Sequence, residues 1–130
     1  MGQKTVDLRR CKRIFFTEAE KMEGTAMVAE MANQTIPVKF LNLCEGGIGF
    51  QVDRNVYQEI SWDQVILLKV QEPGLLAFLD DIKVEVKYIL DYDITQQVTF
   101  GCQFVDLPQT AFMKIKEIVA ARLEKKENFF

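Results

Sequence analysis

A short basic segment near the start of the chain has the residue types to bind an anion. It reads Arg9-Arg10-Cys11-Lys12-Arg13 and leads directly into the first predicted β-strand. Arg9 and Arg13 are four residues apart, and in a non-helical segment two guanidinium groups at this spacing can close on an anion from two sides. The planar guanidinium fork matches phosphate oxygens, and it also fits the O6/N7 edge of guanine. The alternative is a solvated basic terminus, since short charge runs are common.

A second candidate segment begins 29 residues past Arg13 and concentrates glycine. It reads NLCEGGIGF and spans residues 42–50. Glycine permits positive φ angles and the close approach of another group to bare backbone, so three glycines in four positions indicate a tight turn or a site. Asn42 and Cys44 stand just before the glycines and supply an amide and a thiol.

The elements that carry both segments are short β-strands, recognised by alternating or briefly continuous apolar residues. The predicted strands are residues 14–19, 25–30, 36–43, 48–52, 65–70, 82–90 and 98–104. The clearest, over residues 82–88, alternates strictly and must have one buried and one solvated face. Residues 18–31 are ambiguous because their types favour a helix, but Gly24 at their centre favours two strands joined by a turn. Many short strands with short connections predict an antiparallel sandwich or barrel.

The C-terminal part of the chain changes to a helical pattern over residues 107–126. Asp106 is a capping residue, Pro108 suits a first turn and Gln109 occupies a capping-box position. An apolar stripe follows at three- and four-residue steps, formed by Phe112, Ile115, Ile118, Val119 and Leu123. Packing of this stripe on the barrel is the favoured interpretation, and a partner-binding helix is the alternative.

Composition limits the classes of function. The chain has 130 residues, 48% hydrophobic and 27% charged, which predicts one globular domain. It has no apolar run long enough to span a bilayer and no signal peptide at its start, which predicts a cytoplasmic location. The three cysteines are far apart and there is no histidine, which argues against a zinc site or a disulfide framework. The absence of histidine also removes the commonest proton-transfer group, so we expect a protein that is not an enzyme.

The net charge of −3 is unevenly distributed. Residues 1–13 carry five basic side chains and one acidic side chain, a balance of +4, so the rest of the chain carries −7. Such an acidic body has no broad basic face to neutralise many phosphates, which argues against binding of a nucleic-acid polymer. A short basic arm on this body suits a small anion.

The two candidate segments together resemble the PilZ family of cyclic di-GMP receptors, whose hallmarks are RxxxR followed by (D/N)xSxxG. Arg9 and Arg13 match the first motif, and Asn42 and Gly47 match the second. Residues 101–104, with the sequence GCQF, resemble the GxxF found near the final strand of such domains. The matches follow the family's order over nearly the whole chain, so the chain is identified as a member by resemblance.

The resemblance implies a mainly β fold, a six-stranded antiparallel PilZ-type β-barrel with a C-terminal α-helix. Residues 1–13 would form a flexible basic arm and residues 14–130 the barrel and helix. The implied ligand is cyclic di-GMP, with no further cofactor and no metal.

The same resemblance assigns roles to individual residues. Arg9 and Arg13 would clamp phosphate and the guanine Hoogsteen edge, with Arg10 as a helper. Asn42 would contact a guanine edge, and Gly47 would let the backbone turn close to the ligand. Position 44, the family's serine, is occupied by Cys44, and a thiol forms weaker hydrogen bonds than a hydroxyl.

The function implied is a bacterial second-messenger receptor, monomeric or homodimeric, that signals through an unidentified protein partner in control of motility, adhesion and biofilm, or exopolysaccharide. The first alternative is a PilZ-like adaptor that does not bind the nucleotide, which Cys44 favours. The second is an enzyme with Cys44 or Cys102 as its nucleophile, although no histidine is present to activate either thiol.

Overall fold

The computed structural model describes residues 12–28, 35–56, 60, 63–70, 75–91 and 96–127. Within these residues seven strands and one α-helix follow one another: β1 (Ile14–Phe15), β2 (Glu23–Val28), β3 (Thr35–Cys44), β4 (Gly47–Asp53), β5 (Val65–Val70), β6 (Ile82–Leu90), β7 (Gln97–Val105) and α1 (Gln109–Glu127). Short 3₁₀ turns lie at Glu18–Glu20, Arg54–Val56 and Ala77–Leu79.

Six of these strands form a closed antiparallel barrel in the order β3-β2-β5-β6-β7-β4, and β4 pairs again with β3. The seventh strand, β1, pairs with the end of β3 beyond the part that β2 covers. Closure leaves no long unpaired edge, which protects a sheet of this kind from edge-to-edge association. The predicted six-stranded antiparallel barrel with a C-terminal helix is confirmed.

The barrel interior is filled by apolar side chains at alternate strand positions, as period-2 patterning requires. The rings of Phe50 and Phe100 stack at its centre with their centroids 5.5 Å apart. Phe40, Leu43, Val86 and many other apolar side chains complete one continuous core. Within the described residues no polar or charged side chain is buried in it.

The helix α1 packs its apolar stripe against the barrel, in contact with β3 and β1. Ile115 and Val119 of the predicted stripe are buried. The third buried residue of the helix is Ala111 and not the neighbouring Phe112 that the pattern predicts. The helix begins at Gln109, two residues after the predicted start. Asp106 lies before it with a φ of 52°, where it turns the chain. No helix among the described residues is long and apolar enough to cross a bilayer.

The predictions for residues 14–31 need correction. The first strand ends at Phe15, because a 3₁₀ turn follows at Glu18–Glu20, where the Glu20 carboxylate accepts the Thr17 backbone N–H at 2.9 Å. The predicted pair of strands joined by a turn at Gly24 is wrong, since Gly24 lies inside β2. Its missing side chain has a packing reason: a Cβ there would overlap the carbonyl oxygen of Lys69 and lie 2.9 Å from the Phe40 ring.

Candidate functional site

Five residues on neighbouring strands form one register row on the outer face of the barrel, which we call the outer row. Phe15 in β1 pairs with Asn42 in β3, which pairs with Gly49 in β4. Gly49 pairs with Gly101 in β7, and Gly101 pairs with Tyr88 in β6. Gly49 and Gly101 have no side chains, so the polar and aromatic side chains beside them in the row can lie over their backbone.

A register shift in β3 places Asn42 in this row. Phe40 pairs with Phe50 inside the barrel, and the next paired residue is Asn42 rather than Leu41. Such a bulge changes which face the following side chains occupy. Leu43 therefore lies in the barrel core, while Asn42 and the also buried Cys44 lie on the opposite face of the strand.

A second register shift, in β6, places Tyr88 in the row. Strict alternation from residue 82 would put Tyr88 on the buried face with Val86. Instead Val86 pairs with Cys102 and the next pair is Tyr88 with Gly101, so Lys87 is the extra residue of a bulge. Tyr88 thereby turns outward and is half-buried. Apolar periodicity carries no signal for this bulge, and the sequence reasoning missed Tyr88 as a site residue.

The two glycines make room for the side chains beside them. A Cβ on Gly49 would lie 2.7 Å from Nδ2 of Asn42, and a Cβ on Gly101 would overlap the hydroxyl-bearing end of the Tyr88 ring. The Asn42 amide and the Tyr88 ring therefore each lie across a neighbouring strand. The half-buried Arg13 guanidinium joins them, because its Nη1 donates a hydrogen bond to the Tyr88 hydroxyl at 2.9 Å.

These groups line a shallow pocket with a cavity volume of about 10 Å³, which is about the space of one water molecule. Arg13, Asn42, Cys44 and Gly47 contribute to its wall, together with Tyr88 and Gly101. The volume is below the ~300–1,000 Å³ of typical small-molecule sites. Any ligand larger than a water molecule would therefore extend beyond this pocket over the surrounding surface.

The barrel and its helix have close counterparts among solved structures. The PilZ domain of YcgR from Escherichia coli, in a structure with c-di-GMP, matches with a TM-score of 0.70 and 15% identity over 94% of this chain and 97% of that chain. The Bacillus subtilis inhibitor of motility, MotI/DgrA, matches with a TM-score of 0.68 and 11% identity over 93% of this chain and 53% of that one. The MrkH–c-di-GMP complex of K. pneumonia matches with a TM-score of 0.69 and 14% identity over 96% of this chain and 57% of that chain.

The chain has the fold of a PilZ domain. The identities of 11–15% make this a statement about architecture. No protein-family model matches the sequence, and no curated protein matches it either. This PilZ barrel spans about half the length of MotI and MrkH and nearly all of the isolated YcgR domain.

The predicted ligand residues divide into two groups. One group lines the same pocket and consists of Arg13, Asn42, Cys44 and Gly47. The other group, Arg9 and Arg10, lies outside the described residues. Gly47 pairs with Cys44 across the two-residue turn that joins β3 to β4, which explains part of the glycine cluster. The ligand-binding role of all six residues stays a prediction.

The two described cysteines are both buried thiols. Cys44 lines the pocket but is only 3% exposed, so little of its sulfur faces solvent. Burial raises the pKa of Cys102 to about 12, which keeps that thiol protonated at neutral pH and makes it a poor nucleophile. No group of metal-ligating side chains occurs in the parts of the chain that the structure describes.

A second polar cluster fastens the start of the barrel to α1, and we call it the helix joint. Arg122 in α1 donates two hydrogen bonds to the Glu20 carboxylate, from Nη2 to Oε2 and from Nη1 to Oε1, the latter at 3.0 Å. The guanidinium carbon of Arg122 also lies 5.5 Å from the centroid of the Phe16 ring. The hydrogen bond from Arg122 lowers the pKa of Glu20 to about 2. This pair is separated by 102 residues, so local sequence patterns do not reveal it.

Proposed function

We propose that this PilZ barrel is a non-enzymatic receptor for cyclic di-GMP. One observation carries the proposal: Arg13, Asn42, Cys44 and the backbone of Gly47 line the same pocket on one outer face. This arrangement combines a cation, an amide and bare backbone, which are the groups that recognise a phosphate and the edge of a purine. The YcgR and MrkH structures of the same fold, both with c-di-GMP, support it.

Each residue has a chemical role in the proposed complex. The Arg13 guanidinium binds phosphate oxygens or guanine O6/N7, and Arg9 and Arg10 close over the ligand from the arm. Asn42 reads a guanine edge with its amide, while Gly47 lets the backbone approach the ligand. The ligand's two negative charges favour the +4 arm over the acidic body of the domain.

The proposed output is a change of surface. Binding orders the residues before Arg13 against the barrel, and a protein partner in a bacterial cytoplasm recognises the new surface. Motility, adhesion or exopolysaccharide is the process controlled. The YcgR domain and the inhibitor of motility share the fold, and the latter's name supports motility among these.

Isothermal titration of cyclic di-GMP into the purified chain tests binding. Saturable heat is expected for the wild type, and Arg13→Ala and Arg9→Ala should each weaken binding at least about tenfold, since a charge-assisted hydrogen bond contributes about 1.5–3 kcal/mol. Arg54→Ala is the matched control, because Arg54 pairs with Asp91 at 2.6 Å at the far end of β4. No heat at high micromolar ligand, with the protein folded, would sink the proposal.

A PilZ-like adaptor that does not bind the nucleotide is the second candidate, favoured by the buried thiol of Cys44. Cys44→Ser restores the hydroxyl of the family motif and discriminates between the two. A weakened receptor should gain about 2- to 13-fold in affinity from one hydrogen bond. A true adaptor should show no binding heat with either residue.

A further inference from the structure

The glycine of the GCQF segment, Gly101, has a specific structural consequence in the outer row. Its missing side chain leaves the space that the distal end of the Tyr88 ring occupies. The ring in that position presents its hydroxyl to Nη1 of Arg13 at 2.9 Å, across 75 residues of sequence. Gly101, Tyr88 and Arg13 are thus in contact one after the other: the Tyr88 ring lies over Gly101, and its hydroxyl accepts a hydrogen bond from Arg13.

The chemistry of the acceptor favours positioning over neutralisation. A tyrosine hydroxyl is neutral at physiological pH, and it uses one of the five N–H donors of a guanidinium. The hydroxyl therefore orients the long arginine side chain and itself adds no negative charge. Arg54 and Arg122 each donate a hydrogen bond to a negatively charged carboxylate, that of Asp91 and that of Glu20 respectively.

Fixing this side chain in advance should raise ligand affinity. A free arginine loses rotamer freedom when it binds a ligand, and a side chain that is already ordered loses less. The half-buried Arg13 lies on the pocket wall, where the Tyr88 hydroxyl accepts a hydrogen bond from its guanidinium.

We infer that Tyr88, seated on Gly101, is a positioning residue that holds Arg13 in its ligand-binding orientation. The inference rests on the proposed function, because the ligand that Arg13 would bind is cyclic di-GMP. It assigns a role to Gly101 as well, as the position where only glycine leaves the ring in place.

A double-mutant cycle measured by titration with cyclic di-GMP tests this role. Tyr88→Phe removes only the hydroxyl and should weaken binding about 2- to 13-fold, the effect of one neutral hydrogen bond. In the Arg13→Ala background the same change should have almost no further effect, because the group being positioned is gone. Gly101→Ala keeps the Arg13 and Tyr88 side chains but displaces the ring, so it should reproduce the loss. Thermal unfolding confirms that each variant is folded.

Three outcomes overturn the inference while leaving the receptor proposal intact. The first is that Tyr88→Phe and Gly101→Ala both bind with wild-type affinity, while Arg13→Ala still weakens binding. The second is that Tyr88→Phe loses the same affinity in the wild type and in the Arg13→Ala background, which would mean that the hydroxyl acts independently of Arg13. Tighter binding by Tyr88→Phe would make the hydroxyl a competitor of the ligand. If the folded wild type gives no binding heat, the receptor proposal and this inference both fail.

Discussion

The outer row and the helix joint hold their arginines in opposite ways. In the outer row, Arg13 donates to the neutral hydroxyl of Tyr88, whose ring lies over Gly101. In the helix joint, Arg122 makes a two-bonded ion pair with Glu20 and lies over the Phe16 ring. A carboxylate compensates the charge of a guanidinium, whereas a neutral hydroxyl orients it without adding a negative charge. The comparison predicts different roles for the two arginines, ligand binding for Arg13 and stability for Arg122.

The two regions are also connected through the chain. Arg13 immediately precedes β1, and the Thr17–Glu20 turn follows that strand by one residue, Phe16. The helix joint thus fixes the end of the short strand that Arg13 precedes. Affinity should depend mainly on the first region and stability mainly on the second.

The largest effect is expected from reversing the charge at Arg13. Arg13→Glu places an anion where the ligand phosphate should bind, so we predict a loss of affinity of at least about 100-fold, or about 2.7 kcal/mol. Titration calorimetry measures it. The Arg54→Glu variant serves as the control for the change in net charge and should lose far less. Equal losses in the two variants would assign the effect to the overall field of the protein.

A smaller effect, on stability, is expected at the helix joint. Arg122→Ala removes the ion pair with Glu20 and the contact with the Phe16 ring, and should lower the free energy of unfolding by about 1–2 kcal/mol. Its affinity for cyclic di-GMP should stay within about twofold of the wild type. Urea unfolding and titration of the same preparation measure both quantities. An Arg122→Ala variant of normal stability that has lost its affinity would reverse the division proposed for the two regions.

The pH dependence of stability gives the smallest signal and concerns Glu20. The pKa of Glu20 is lowered from 4.5 to about 2, mainly by the hydrogen bond from Arg122. The stabilisation that follows is complete above the unfolded-state value of 4.5 and is lost as the pH falls towards 2. Because the pair is partly solvated, we expect about 0.5–1 kcal/mol.

Unfolding of the wild type and of Glu20→Gln at pH 6 and pH 2.5 measures this contribution. The wild type should be the more stable at pH 6, and the difference should narrow at pH 2.5. A difference that is constant across this range would mean that Glu20 has the same pKa in the folded and unfolded states, which would contradict the lowered pKa.

The barrel is largely predictable from the sequence, because its strands bury one face and solvate the other. The apolar pattern predicts β5 and β6 to the residue. Short elements were harder, since the turn at Glu18–Glu20 depends on a side-chain hydrogen bond and on a partner in α1.

The candidate site is predictable only in part. The motif resemblance selects Arg13, Asn42, Cys44 and Gly47, and these line one pocket. Tyr88 escapes prediction because its outward direction depends on the bulge after Val86, and a one-residue shift of register exchanges the two faces of a strand. Patterns of apolar residues report the mean alternation of a strand and not the position where it is interrupted.

Amide NMR spectra recorded during titration with cyclic di-GMP test the central claim, that the ligand binds the outer row. The backbone amides of Gly49 and Gly101 and the side-chain amide of Asn42 should shift with the ligand and saturate together. The amide of Gly24, inside β2 and away from the row, should not move, and neither should those of α1 around Arg122. A folded protein whose spectrum does not change, or whose changes centre on the helix joint, would contradict the claim.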